Sequence, residues 1–261
     1  PSSMTGSFEA ALRTKRASGK KLLVVYVTGG FENWEASVEA AAAAGADAIE
    51  IGIPFSDPVM DGPVIQQASQ IALDRGATPL SVLQAAAELD TGIPHAVMTY
   101  YNLAHNPGHD RFAASLVRAG ITAAILPDLP FVESAPWREV ASEAGIETVM
   151  LAAPTTPDHR LGDLCAAAHG FVYAVGLLGV TGERSALADT ATKIAARCKA
   201  VTDKPVLVGV GIGSPAQAVE ACSVADGVII GSALVRQMLD GHGAEGVGQL
   251  VSRYRAALDG G

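Results

Sequence analysis

Two carboxylates, Glu50 and Asp61, lie eleven residues apart in the stretch IEIGIPFSDPVMDGPVIQQA, residues 49–68. Glu50 sits in a short apolar run. Asp61 sits in the loop that follows, where Pro54, Pro58, Gly62 and Pro63 break regular structure before a helix opens near Val64. Strand periodicity sends Ile49, Ile51 and Ile53 to one face and Ala48, Glu50 and Gly52 to the other. In a closed barrel the face with the small residues is the interior, where an acid is costly to bury without a partner or a task. Two such acids permit one acid/base and one charge stabiliser with separately tuned proton affinities. A structural alternative stands beside this: Glu50 in an internal salt bridge and Asp61 as a helix cap. Asp57, in the same loop, is expected to be structural or to face a partner.

A second group of residues could hold an anion. Gly209-Val210-Gly211-Ile212-Gly213-Ser214 precedes a helix with Pro215 near its first turn, and Gly231-Ser232 opens the last helical region. Glycines let backbone N–H groups approach a phosphate, and a helix N-terminus adds about half a positive charge. The loop Gly179–Gly182 could add further amides. The plain alternative is that these glycines only make tight turns. The string is not a dinucleotide fingerprint, which belongs to a first strand–helix turn with an acid further on.

These residues need a scaffold. A helix is expected over Phe8–Ala17. Strands are expected at Lys21–Thr28, Ala48–Ile53, His95–Tyr100, Thr122–Pro127, Glu147–Ala152, Gly170–Val175, Pro205–Val210 and Ala225–Ile230. Helical segments separate them, and YNLAHNPG after the third strand reads as an irregular loop. A weak repeat, AGADAIEIG, AGITAAILP, AGIETVMLA and VADGVIIGS, marks helix-to-strand passages. Strands alternating with helices of this kind signal parallel βαβ units. Eight of them without a domain-scale linker predict one α/β domain over 1–261, a (β/α)8 TIM barrel with an extra N-terminal helix. Such barrels place their chemistry at the C-terminal ends of the strands, and often a phosphate at the last two loops.

Composition excludes several classes. With 49% hydrophobic and 17% charged residues the chain buries a core and is not disordered. The net charge of −9 and the lack of a Lys/Arg-rich run disfavour nucleic acid and anionic membranes as partners. No apolar run approaches the roughly 18–20 residues that span a bilayer. The N-terminal stretch lacks a secretory apolar region and reads as a tail before an amphipathic helix. Cys165, Cys198 and Cys222 are odd in number, widely spaced and free of CxxC pairing, as expected for reduced thiols of a cytoplasmic protein.

Absences narrow the chemistry. No expected strand end beyond the first carries a lysine, which disfavours a Schiff-base aldolase. No His/Asp/Glu cluster has metal-site spacing, so no metal is expected. A cofactor-free reaction of carboxylates on a phosphorylated substrate remains.

The string IEIGIPFSDPVMDGPVIQQA resembles the signature of the tryptophan synthase α subunit. The resemblance continues through MTYYN, LPDLP, FVYAVGLLGVTG, GVGIG and GVIIGSALV, covering nearly the whole chain in order. It implies cleavage of indole-3-glycerol phosphate to indole and glyceraldehyde 3-phosphate, no cofactor in this subunit, and a pyridoxal-phosphate β subunit as partner in tryptophan biosynthesis. It implies that Glu50 is the acid/base and that Asp61 accepts the ring N–H. It implies a pocket lined by Tyr26, Met98, Ile125 and Tyr173, and phosphate donors at Gly182, Gly211, Gly231 and Ser232. Thr181 would order the strand-six loop against Asp61. The chain departs from the pattern at YVTGGFENW, at the apolar Leu177-Leu178 and at NLAHNPG. The resemblance implies that those loops face the β subunit or gate the site. A stand-alone lyase releasing free indole, or a silent activator of a β subunit, are the alternatives.

Overall fold

The structure is a computed structural model that describes residues 6–176, 184–209 and 211–261. Eight parallel strands close into a barrel in sequence order: β1 (Leu22–Thr28), β2 (Ala48–Gly52), β3 (His95–Met98), β4 (Ala123–Ile125), β5 (Glu147–Ala152), β6 (Val172–Ala174), β7 (Val206–Val208) and β8 (Gly227–Ile230). The helices are α1 (Ser7–Ala17), α2 (Trp34–Ala43), α3 (Pro63–Asp74), α4 (Pro79–Ala86), α5 (Tyr101–His105), α6 (His109–Arg118), α7 (Ala135–Glu143), α8 (Asp158–Ala167), α9 (Arg184–Lys199), α10 (Pro215–Ala221), α11 (Ser232–Leu239) and α12 (Gly243–Gly260). All eight expected strands form, most a residue or more shorter than expected. One local expectation fails: YNLAHNPG is not irregular throughout, because Tyr101–His105 turns into the short helix α5.

The two faces of each strand divide as the alternation requires. Leu23, Val25, Val27, Ile49 and Ile51 point outward and pack under the helices. Leu22, Val24, Ala48, Ala96, Ala123, Ile125, Val149, Leu207 and Ile229 fill the interior, a packed core and not a pore. Phe8 and Leu12 of α1 join this inner cluster, so the extra helix belongs to the barrel core.

Glu147, the first residue of β5, holds α1 in place. Its carboxyl accepts the backbone N–H groups of Phe8 at 2.6 Å and Glu9 at 3.0 Å, the unpaired donors of that helix's first turn. Gly6 is the N-cap, and a side chain there would collide with the Glu147 carboxyl. Asp47 and Asp226 do comparable work. Asp47 pairs with Lys15 and Arg255 and accepts the Leu23 N–H. Asp226 pairs with Arg16 and Lys199 and accepts the Val206 N–H. These pairs tie helices to strands, leaving the C-terminal strand ends to carry chemistry.

Candidate active site

Parallel register places the first site residues. Tyr26 of β1 is level with Glu50 of β2, and Glu50 is level with Ala96 of β3. One step higher Gly52 is level with Met98, and Met98 with Ile125 of β4. Tyr173 of β6 packs with Met98, Ile125 and Leu151 in the interior cluster. Tyr26 and Met98 also meet Phe31, Val64, Ile65, Ala68, Val235 and Leu239 in a third cluster. Tyr26, Glu50, Met98, Ile125 and Tyr173 therefore all face the barrel interior.

Small residues make this possible. A Cβ at Gly52 would overlap the Tyr26 ring and hydroxyl, and one at Gly209 would overlap the Tyr173 ring. Each tyrosine lies across the backbone of the next strand, over a position that only glycine leaves open. Gly209→Ala is therefore expected to displace Tyr173 and to cost about 1–3 kcal/mol of stability, as overpacking of a filled core does. Denaturant melts against Ala153→Gly, an exchange of the same two residue types away from this contact, test it.

Glu50 is 1% exposed, and its Oε2 has no hydrogen-bond partner among the described residues. No salt bridge reaches it among those residues, so the salt-bridge alternative has no support. Burial first, and then the charge of Asp61, push its carboxyl up from 4.5 to about 8. Asp61 is not the cap of α3. Gly62 occupies that position, with no side-chain cap bond. The Asp61 carboxylate instead accepts a hydrogen bond from the Tyr100 hydroxyl at 3.0 Å. Burial lifts Asp61 to about 6, and the Tyr100 bond opposes that rise. Asp61 ionises first, beside a neutral Glu50, so only Glu50 feels its partner's charge. At neutral pH the pair thus holds one proton, and Glu50 carries it. Tyr26 and Tyr173 are pushed up by burial and by both acids, and stay neutral donors.

The last two loops are partly described. Gly211 has a positive φ of 84°, a left-handed backbone that favours glycine. The Gly213 N–H donates to Gln217 Oε1 at 2.8 Å, and Ser214 Oγ accepts the Gln217 N–H and caps α10. Gly231 is the N-cap of α11 and Ser232 its first residue. A Cβ at Gly231 would be in ordinary contact with Tyr26 and Ile65, so the α11 N-terminus borders the tyrosine pocket. Thr181, Gly182 and the Leu177-Leu178 pair lie outside the described residues.

Residues 12–256 match the family model described as tryptophan synthase alpha chain. The chain belongs to the tryptophan synthase alpha chain family. It is 45% identical over 250 residues to the tryptophan synthase alpha chain of Streptomyces coelicolor, covering 92% of each chain. It is 43% identical to that of Streptomyces avermitilis, covering 96% of this chain and 94% of the relative. A Mycobacterium tuberculosis tryptophan synthase structure superposes with a TM-score of 0.89 at 36% identity, covering 97% of this chain and 98% of the other. A tryptophan synthase subunit alpha from Legionella pneumophila superposes with a TM-score of 0.86 at 30% identity, covering 98% and 99%.

In this alpha-chain barrel, sequence reasoning missed the roles of Gly52, Gly209, Tyr100 and Phe55 in the site. Gly52 was read as a small residue on the face of Glu50 and Gly209 as part of the anion-binding string, and nothing local says which ring lies across either. Tyr100 and Phe55 stack at 5.0 Å between centroids, binding the β2 loop to the end of β3. Period two from Met98 placed Tyr100 on the inner side. The missing signal was its partner, which is distant in sequence. Among the described residues no set of three or more His, Cys, Asp or Glu converges as a metal site. No described helix is long and apolar enough to cross a membrane.

Proposed function

We infer that this chain cleaves indole-3-glycerol phosphate to indole and glyceraldehyde 3-phosphate, with Glu50 as the acid/base and Asp61 as the charge stabiliser. The observation that carries the reading is the Glu50 carboxyl, buried in the barrel interior near Asp61, its Oε2 without a hydrogen-bond partner among the described residues; burial and the Asp61 charge push it up to about 8. Carbon–carbon cleavage needs somewhere for the bonding electrons to go. Protonating C3 of the indole by Glu50 creates an electron-poor indolenine, and Asp61, accepting the ring N–H, stabilises its positive charge. The Glu50 carboxylate then takes the proton of the glycerol hydroxyl. The carbonyl forms, the C3–C bond breaks, and its electrons restore the indole. Protons balance and Glu50 ends as it began, so no cofactor enters the step. Tyr26, Met98, Ile125 and Tyr173 supply apolar walls for the ring. Gly211, Gly231 and Ser232, with Thr181 and Gly182 of the β6 loop, are proposed to hold the phosphate on backbone N–H groups and the α11 N-terminus.

The partner reading is a tryptophan synthase β subunit. Val59 and Met60 of the β2 loop are 71% and 53% exposed, and Val132 after β4 is 63% exposed. Met60 shares a mostly apolar cavity of about 420 Å³ with Leu129, Pro130 and Phe131. Apolar side chains gathered at the reactive rim suit a protein surface better than water. The test is steady-state cleavage by the purified chain, with and without a β subunit. Indole release that rises on adding the subunit is expected. Equal turnover in both arms would favour a stand-alone lyase, and no turnover in either would favour a silent activator.

A further inference from the structure

We propose that Tyr100 is the positioning residue of this site, its hydroxyl fixing the Asp61 carboxylate over the barrel mouth as a hydrogen-bond acceptor. The polarity of the contact is set by its third member. The Met60 N–H donates to the Tyr100 oxygen at 2.9 Å, and a backbone amide can do nothing else. The single phenolic hydrogen is therefore directed to Asp61 Oδ2, 3.0 Å away. Tyr100 is 4% exposed, and Phe55 stacks on its ring at 22° between planes, so the hydroxyl cannot swing aside freely. The loop is braced on its other side. Asp61 N–H donates to Pro58 O at 3.0 Å, and the Gln66 side chain donates to Asp61 O at 2.8 Å. Backbone and carboxylate of Asp61 are thus fixed separately, and among the described residues Tyr100 is what fixes the carboxylate.

Burial raises the cost of charge at Asp61, and the Tyr100 bond opposes it. Glu50 of β2, Tyr26 of β1 and Tyr173 of β6 face it from the interior, and Asp128 after β4 acts on Tyr100. Among the described residues no cation contributes to these interactions. Among the described residues, the hydrogen bond that Tyr100 donates to the ionised form is the feature that favours it. Tyr100 therefore separates the two acids, keeping Asp61 charged while Glu50 holds the proton.

The inference rests on the lyase reading for its catalytic meaning, but its test does not need the reaction. The Asp61 carboxyl is followed by carbon-13 NMR through a pH titration in the full chain. In Tyr100→Phe, which keeps the ring stacked on Phe55, the Asp61 midpoint moves to higher pH. In the lyase assay the acidic limb of kcat/KM moves up with it, lowering the rate at pH 6 about tenfold, while the basic limb stays. Replacing Tyr100 by 3-fluorotyrosine, nearly isosteric and a stronger donor, moves the Asp61 midpoint down, which decides the matter even if Tyr100→Phe folds poorly. An Asp61 midpoint unmoved by either replacement overturns the proposal. A loss of rate with both limbs in place assigns Tyr100 a structural role only. Absence of lyase activity in the unmodified chain would overturn the functional reading and leave the NMR result standing.

Discussion

Glu50→Gln is expected to lower kcat for indole-3-glycerol phosphate by at least about 10²–10⁴-fold with KM within a few-fold of the parent. Glutamine keeps the size of the side chain and cannot deliver a proton. A second readout guards against a trivial explanation. The folded Glu50 titrates near 8 against an ordinary 4.5, so between those values the native chain binds more protons than the unfolded one. Its contribution to stability is fully present below about 4.5 and is lost as pH rises toward 8. Glutamine removes that loss. The variant should match the parent near pH 4 and exceed it near pH 8 by an amount on the order of a few kcal/mol. An inactive enzyme that is more stable than its parent at pH 8 is hard to explain by misfolding. Full activity in the variant would refute the role given to Glu50.

Asp61→Asn is expected to cost about 10²-fold or more in kcat, because a neutral amide cannot stabilise charge on the ring nitrogen. It also changes Glu50. Burial is the larger cause of the raised Glu50 value and is unaffected, while the charge of Asp61 is the smaller cause and disappears. The Glu50 midpoint should therefore fall below 8 yet stay above 4.5. The basic limb of the residual rate should move to lower pH, whereas a basic limb left near 8 would mean that the two acids do not share one compartment.

Much of this was legible in the chain. Alternating β-branched and small residues fixed which face of β2 carries Glu50, because the period of a strand leaves no other choice once one face packs on helices. The strand–helix rhythm implied closure, and the glycines after β7 and β8 marked helix entrances that the structure retains. Boundaries were less legible. Thr99 and Tyr100 suit a strand by composition, but β3 ends at Met98, where the loop begins to serve the site. The contacts that tune the acids were not legible at all. Tyr100 and Asp61 are 39 residues apart and meet only because β2 and β3 are neighbours and the β2 loop folds back. Gly52 and Gly209 matter through rings on adjacent strands. Glu147 looked like an ordinary strand residue, yet its work is to cap α1. Distant pairings of this kind are set by topology and have no local signature.

The central claim is that Glu50 holds a proton and Asp61 does not at the pH where the chain works. The most direct measurement is the pH dependence of kcat/KM for indole-3-glycerol phosphate with the unaltered protein. Two limbs are expected, one near pH 6 where Asp61 loses its charge and one near pH 8 where Glu50 loses its proton. A rate that stays flat through pH 8, or that climbs there, would mean the reactive form of Glu50 is the carboxylate from the start, and the assignment of the acid would be wrong.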